Sequence, residues 1–181
     1  MMWNLTSKLI EYSRQVRTRW FSHIIQRTGI TANQLTFASF MCGILSVVFF
    51  QYKHLFIILG IAHLVLDAFD GVVARATQPT EKGKYLDWIS DQSAAVFLLL
   101  TITQMLPMSL NKITFVLYTS YTILFLLSSM QAPPMSARTA LFLCSFSGLY
   151  SLGMLIALII TLYGYATAYH QTFFKPSVNA R

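Results

Sequence analysis

The sequence predicts an all-α integral membrane protein, a six-helix transmembrane bundle with an amphipathic helix lying in the membrane interface ahead of it. Three observations carry this expectation. The chain of 181 residues is 55% hydrophobic and only 10% charged, outside the range of a soluble domain of its length. Beyond the N-terminal segment, apolar runs recur at intervals of roughly 20 residues, the length a helix needs to cross about 30 Å of hydrocarbon. The basic residues also alternate along the chain. Lys8, Arg14, Arg17, Arg19 and Arg27 precede the first apolar run, and Arg75, Lys82 and Lys84 follow the second, whereas the other loops hold Lys53 alone and Lys112 alone. This places the N-terminus and the 75–86 loop on the cytoplasmic side. The net charge of +7 therefore sets topology and attracts anionic headgroups, and it is not arranged for nucleic acid.

Residues 1–30 carry Trp3, Leu9, Tyr12, Val16, Trp20 and Ile24, most of them three or four apart, with Arg14 and Arg17 on other faces. That is the pattern of an interfacial helix. It lacks the basic, apolar, small-residue order of a cleaved signal. In GITANQLT, Gly29 can end one helix and Thr31 or Asn33 can cap the next. The bundle is expected over 31–171, with spans near 35–50, 55–74, 86–108 and 112–130, and a tail follows at 172–181. Thr119, Ser120, Thr122 and Ser128 are tolerable in the fourth span because a hydroxyl can bond within its own helix. Residues 137–170 are long for one span and short for two. A break flanked by Gly148 and Gly153 gives two, and so six in all, which returns the C-terminus to the cytoplasm. Cys42 and Cys144 lie in apolar runs as small hydrophobes.

Five of the six acidic residues, including every aspartate, fall in DAFDGVVARATQPTEKGKYLDWISD, residues 67–91. Asp67 and Asp70 are three apart at the end of the second span, and Asp87 and Asp91 are four apart at the start of the third. Each spacing puts two carboxylates on one helix face. Adjacent antiparallel helices joined by a short loop would aim all four at one another. Glu81 lies off both faces as a solvated charge. Four carboxylates near hydrocarbon require positive charge: protons, a pairing with Arg75, or divalent metal. Oxygen-only ligands suit magnesium, manganese or calcium over zinc. Gly71 and Ala74 leave the helix face beside Asp70 nearly bare, Gly83 does the same beside Asp87, and Arg75 can hold a phosphate with its fork. His63, one turn before Asp67, could reach the site but reads first as a helix-packing or pore-facing histidine.

Written as spacing, D-x2-D-G-x2-A-R-x7-G-x3-D-x3-D resembles the signature of the CDP-alcohol phosphatidyltransferase family, and GITANQLT is similar to the TPNxxT segment that opens the first span in many members. Two details differ: Ala32 stands where proline is commoner, and the x7 gap is usually eight. The resemblance implies transfer of a phosphatidyl or related group from a CDP-linked donor to a small alcohol, with release of CMP. It implies two divalent cations, Mg2+ or Mn2+, with Asp67, Asp70 and Asp87 as principal ligands. Asp91 is implied as general base and as a fourth carboxylate close to the second metal. Gly71, Ala74, Arg75 and Gly83 fall on the CDP side, with Asn33 and Thr36 as secondary nucleotide contacts. Arg138, in SARTALF, looks like the Lys-Thr pair often found at the start of that helix, and with Lys82 and Lys84 it is the candidate for acceptor binding. A homodimer is implied as well. Two other readings of the same residues are a cation-coupled transporter, which would want acidic groups near the bilayer midplane, and a noncatalytic scaffold indifferent to its aspartates.

Overall fold

The computed structural model describes residues 29–77, 81–127 and 137–174. The expected interfacial helix, residues 82 and 84 as side chains, and the side chain of Arg75 lie outside what it describes. Six helices follow in order: α1 (Ala32–Val48), α2 (Lys53–Thr77), α3 (Glu81–Met105), α4 (Ser109–Leu127), α5 (Ala137–Phe146) and α6 (Tyr150–Phe174). Among the described residues there is no strand. Two stretches, Lys53–Ala74 of α2 and Tyr150–Tyr169 of α6, are long and apolar enough to cross a membrane, while α1 and α5 are apolar but shorter. At 1.5 Å per residue, the ten residues of α5 span only about 15 Å.

Helix α1 begins with a reciprocal cap. The Gln34 amide donates to the Thr31 hydroxyl, and Gln34 Oε1 accepts from the Thr31 amide at 3.0 Å. Thr31 is therefore the cap, and Asn33, one residue inside the helix, is released from that duty. The buried face of α1 is Thr36, Ser39, Gly43 and Ser46, a row of small residues that lets α2 approach closely. The approach is fixed at His63, which is fully buried. Its Nδ1 donates to the Ser39 carbonyl at 2.9 Å, and the Ser39 hydroxyl donates to the His63 carbonyl at 3.0 Å. A Cβ on Gly43 would lie 3.1 Å from the imidazole, so glycine is what makes room for the ring.

The α5–α6 hairpin is set by Gly148. Its φ of 74° is a left-handed conformation open to glycine. The Leu149 amide reaches back to the Cys144 carbonyl at 2.8 Å and the Gly148 amide to that of Ser145 at 3.1 Å, the paired bonds of a Schellman ending. The break expected near Gly148 is therefore present. Gly153 serves a different purpose, inside α6, where an added Cβ would meet Cys144 Cβ at 3.0 Å. It draws the two arms of the hairpin together.

Helix α5 runs antiparallel to α2 in a fixed register. Phe146 covers Gly60, where an added Cβ would come 2.6 Å from its ring. One turn along each helix, the Phe142 ring lies 5.3 Å from that of His63, and one turn further Arg138 meets Asp67. Phe50, Phe56 and Tyr150 complete the aromatic packing around Phe146 and Phe142. Helix α3 supplies the centre of the core with Ala94, Ala95, Leu98, Leu99 and Ile102, all at most 1% exposed, and it packs on α1, α4 and α5. Large apolar residues such as Ile58, Phe97, Val116 and Ile159 face outward, as lipid contact requires. In α4, Thr122 bonds back to the Tyr118 carbonyl at 3.0 Å and Ser120 to that of Leu117 at 3.0 Å, the expected way for hydroxyls to sit in an apolar helix.

Two substitutions test this packing by thermal unfolding in detergent. Gly60→Ala is expected to destabilise by about 1–3 kcal/mol through overpacking, with part of the loss recovered when Phe146→Leu is added. Gly148→Ala is expected to cost about 1–2 kcal/mol, since alanine must adopt a left-handed conformation there.

Candidate functional site

The α2 and α3 helices bring the four aspartates together at one end of the bundle, and among the described residues each packs more extensively on α1 and α5 than on the other. Helix α1 lies along both, and α5 contacts both from another side. The carboxylates of α2 and α3 consequently meet where α1 and α5 flank both helices.

Asp67, Asp87 and Asp91 each place a carboxylate oxygen within 4.8 Å of the other two. Asp70 stands beside Asp87 and is only 4% exposed. Its Oδ2 accepts a hydrogen bond from Thr36 Oγ1 at 2.8 Å, so the first helix holds a carboxylate of the second. Asp87 Oδ1 is buried and, among the described residues, has no hydrogen-bond partner. A carboxylate oxygen in that setting is costly unless a cation or donor reaches it. The donor set, oxygens only, fits a hard divalent cation such as magnesium or manganese.

Positive charge arrives from a residue whose main expected task was acceptor binding. Arg138, buried at the start of α5, donates from Nη1 to Asp67 Oδ1 at 2.9 Å and to Asp91 Oδ1, and from Nη2 to Asp67 Oδ2. It joins carboxylates of α2 and α3 that neither helix could hold together alone. The sequence carried a signal for this: Arg138 is the only lysine or arginine between Lys112 and Lys175, placed where an apolar helix begins.

The other expected site residues divide into three groups. Asn33 and Thr36 line a cavity of about 360 Å³ between α1 and α3, together with Phe37, Phe40, Leu86, Ile89 and Ser90. Gly71, Ala74 and Gly83 are half-buried on the turns next to Asp70 and Asp87. The side chains of Arg75, Lys82 and Lys84 lie outside the described residues. Gln92, which follows Asp91, turns away to α4, where its Oε1 accepts from the Tyr118 hydroxyl at 2.7 Å. Trp88 is fixed against Phe125, their rings 4.3 Å apart. The Ser39–His63 link was not foreseen. Its sequence signal is a serine and a glycine four residues apart on one apolar helix, facing a histidine in the middle of the next.

Among models of known families, that of the CDP-alcohol phosphatidyltransferases matches residues 29–174. The chain belongs to this family. The match spans all six helices, and it carries with it an enzyme of the CDP-alcohol phosphotransferase type. In this family member, the three-aspartate cluster is capable of coordinating a divalent ion, and the membrane-capable helices α2 and α6 accord with a membrane protein. A search of curated proteins returned no match.

Thr36→Val tests the tie between α1 and the acidic cluster. Removing the hydroxyl that Thr36 donates to Asp70 Oδ2 is expected to cost about 1–3 kcal/mol, read as a lower melting temperature with the helical circular dichroism spectrum unchanged.

Proposed function

We propose that the protein transfers a phosphatidyl group from a CDP-linked lipid, CDP-diacylglycerol in the simplest case, to the hydroxyl of a small alcohol and releases CMP, in a reaction that depends on divalent metal. The observation that carries this reading is the meeting of Asp67, Asp87 and Asp91 oxygens within 4.8 Å, with Asp70 alongside and a buried Asp87 Oδ1 that has no partner among the described residues. Asp67, Asp70 and Asp87 would hold the metal, Mg2+ or Mn2+, and Asp91 would share it from the edge. Bound there, two such ions would screen the pyrophosphate charge and stabilise the departing CMP.

Asp91 offers a route for a proton. It is partly exposed, and its carboxylate can accept the acceptor's hydroxyl proton as that oxygen attacks the lipid-side phosphorus. One P–O bond forms to the acceptor. The bridging P–O bond breaks, and its electron pair leaves with CMP. Among the described residues, no serine, cysteine or histidine side chain is paired with a base at the cluster, so a single in-line displacement is favoured over a covalent enzyme intermediate.

The cavity between α1 and α3 supports the donor side. Its wall is almost wholly apolar, formed mainly by Phe37, Phe40, Leu86 and Ile89, with Asn33, Thr36 and Ser90 adding little polar surface, a character that suits the lipid part of the donor. Gly71, Ala74, Arg75 and Gly83 would receive the pyrophosphate, and Lys82, Lys84 and Arg138 are the candidates to face the acceptor. The reading includes the six-span topology, with residues 1–30 as an interfacial segment, 31–171 as the catalytic bundle and 172–181 as a tail. It puts the N-terminus and the site on the cytoplasmic side, where nucleotide and alcohol arrive from water. A homodimer is part of the proposal and rests on the family alone. Transport coupled to cations draws support only from acidic groups in apolar helices, and those groups gather at helix ends.

The test is CMP release from CDP-diacylglycerol by the purified protein with a panel of alcohols. Turnover is expected to vanish in chelator and to return with Mg2+ or Mn2+. Asp91→Asn is expected to lower it about 10²–10⁴-fold with most metal binding retained. Failure of every acceptor, together with no binding of CDP-lipid or divalent metal, refutes the proposal.

A further inference from the structure

The Arg138 guanidinium and the proposed metal ask for the same oxygens. Arg138 engages both oxygens of Asp67 and one of Asp91, two of the three residues whose oxygens converge within 4.8 Å. A small divalent cation draws its ligands to about 2.0–2.1 Å, so the oxygens it shares lie at most about 4.2 Å apart, with the ion between them. A guanidinium nitrogen within hydrogen-bond reach of the same Asp67 and Asp91 oxygens stands in that space. Two cations cannot occupy it together without close like-charge contact in a poorly solvated pocket.

We propose that Arg138 is an internal counter-cation that competes with divalent metal for the Asp67–Asp91 edge of the cluster and must turn aside when metal binds there. This inference rests on the metal-dependent reading above. Its geometry also limits how Arg138 can leave. Ala137, Leu141 and Phe142, its neighbours on α5, are at most 1% exposed, and Phe142 packs on His63 one turn below Asp67. The helix is held in place, so the exchange is a rotation of one side chain and not a shift of α5. Arg138 then has two separable effects. It neutralises carboxylate repulsion wherever metal is scarce, and it weakens metal affinity by the work of displacing it.

The experiment uses the full-length protein in detergent without nucleotide. Mn2+ binding is measured from the electron paramagnetic resonance signal of free Mn2+, and melting temperature is measured in chelator and in Mn2+, for wild type, Arg138→Gln and Arg138→Lys. Arg138→Gln is expected to bind Mn2+ at least tenfold more tightly than wild type, to melt lower in chelator, and to gain more from added Mn2+. Arg138→Lys, which keeps the charge but loses the fork, is expected to fall between the two. If Arg138→Gln folds only with Mn2+ present, that also supports competition. If it does not fold in either condition, the lysine variant decides, tighter Mn2+ binding supporting the proposal and equal or weaker binding overturning it. Equal or weaker Mn2+ binding by a folded Arg138→Gln overturns this inference while leaving the metal-dependent reading intact. Absence of Mn2+ binding by wild type and both variants overturns the two together.

Discussion

Negative charge gathered in an apolar bundle governs this structure. Four carboxylates that would each prefer water are brought to one place by α2 and α3, and their mutual repulsion has to be answered by something close and positive. Much of the nearby architecture can be understood as the answer. Thr36 gives Asp70 a donor from α1, and Arg138 spans Asp67 and Asp91 from α5. What neither supplies is a partner for the inner oxygen of Asp87, and that shortfall is the strongest physical argument for an ion.

The supporting framework is built from close approach more than from bulk. Gly43 admits the His63 ring, Gly60 admits Phe146, and Gly153 admits Cys144. Each contact joins two helices at a fixed height, and together they carry the register of α5 against α2 up to the acidic end. Position at the site is thus inherited from packing more than a helical turn away. The reciprocal Ser39–His63 hydrogen bonds add a polar fastening where lipid would offer none.

Local sequence made much of this visible. Hydrophobic run lengths gave the helices, the i,i+3 and i,i+4 aspartates gave the shared faces, and the glycine at 148 gave the turn, because each depends on residues only a few positions apart. What local sequence could not reveal was which helices touch. A short link between residues 77 and 81 makes α2 and α3 natural neighbours, but nothing local announces that small residues at 36, 39, 43 and 46 draw α1 closely against α2, or that α1 packs on α3 as well. Arg138 was legible as an isolated charge, but its partners lie 71 and 47 residues away, and only the folded register shows them. Asn33 seemed equally fit to cap a helix or to meet a ligand. The Thr31–Gln34 pair takes the first task and leaves Asn33 on the cavity wall.

The place of α5 in the chain bears on how the protein is made. The two helices that carry the aspartates are consecutive in synthesis, but the element that neutralises two of them, α5, emerges from the ribosome much later. A nascent chain that has formed only its first three helices therefore holds an acidic face without Arg138. The pocket is completed by the closing hairpin, so a chain truncated before that hairpin would retain every aspartate and still lack the assembled centre.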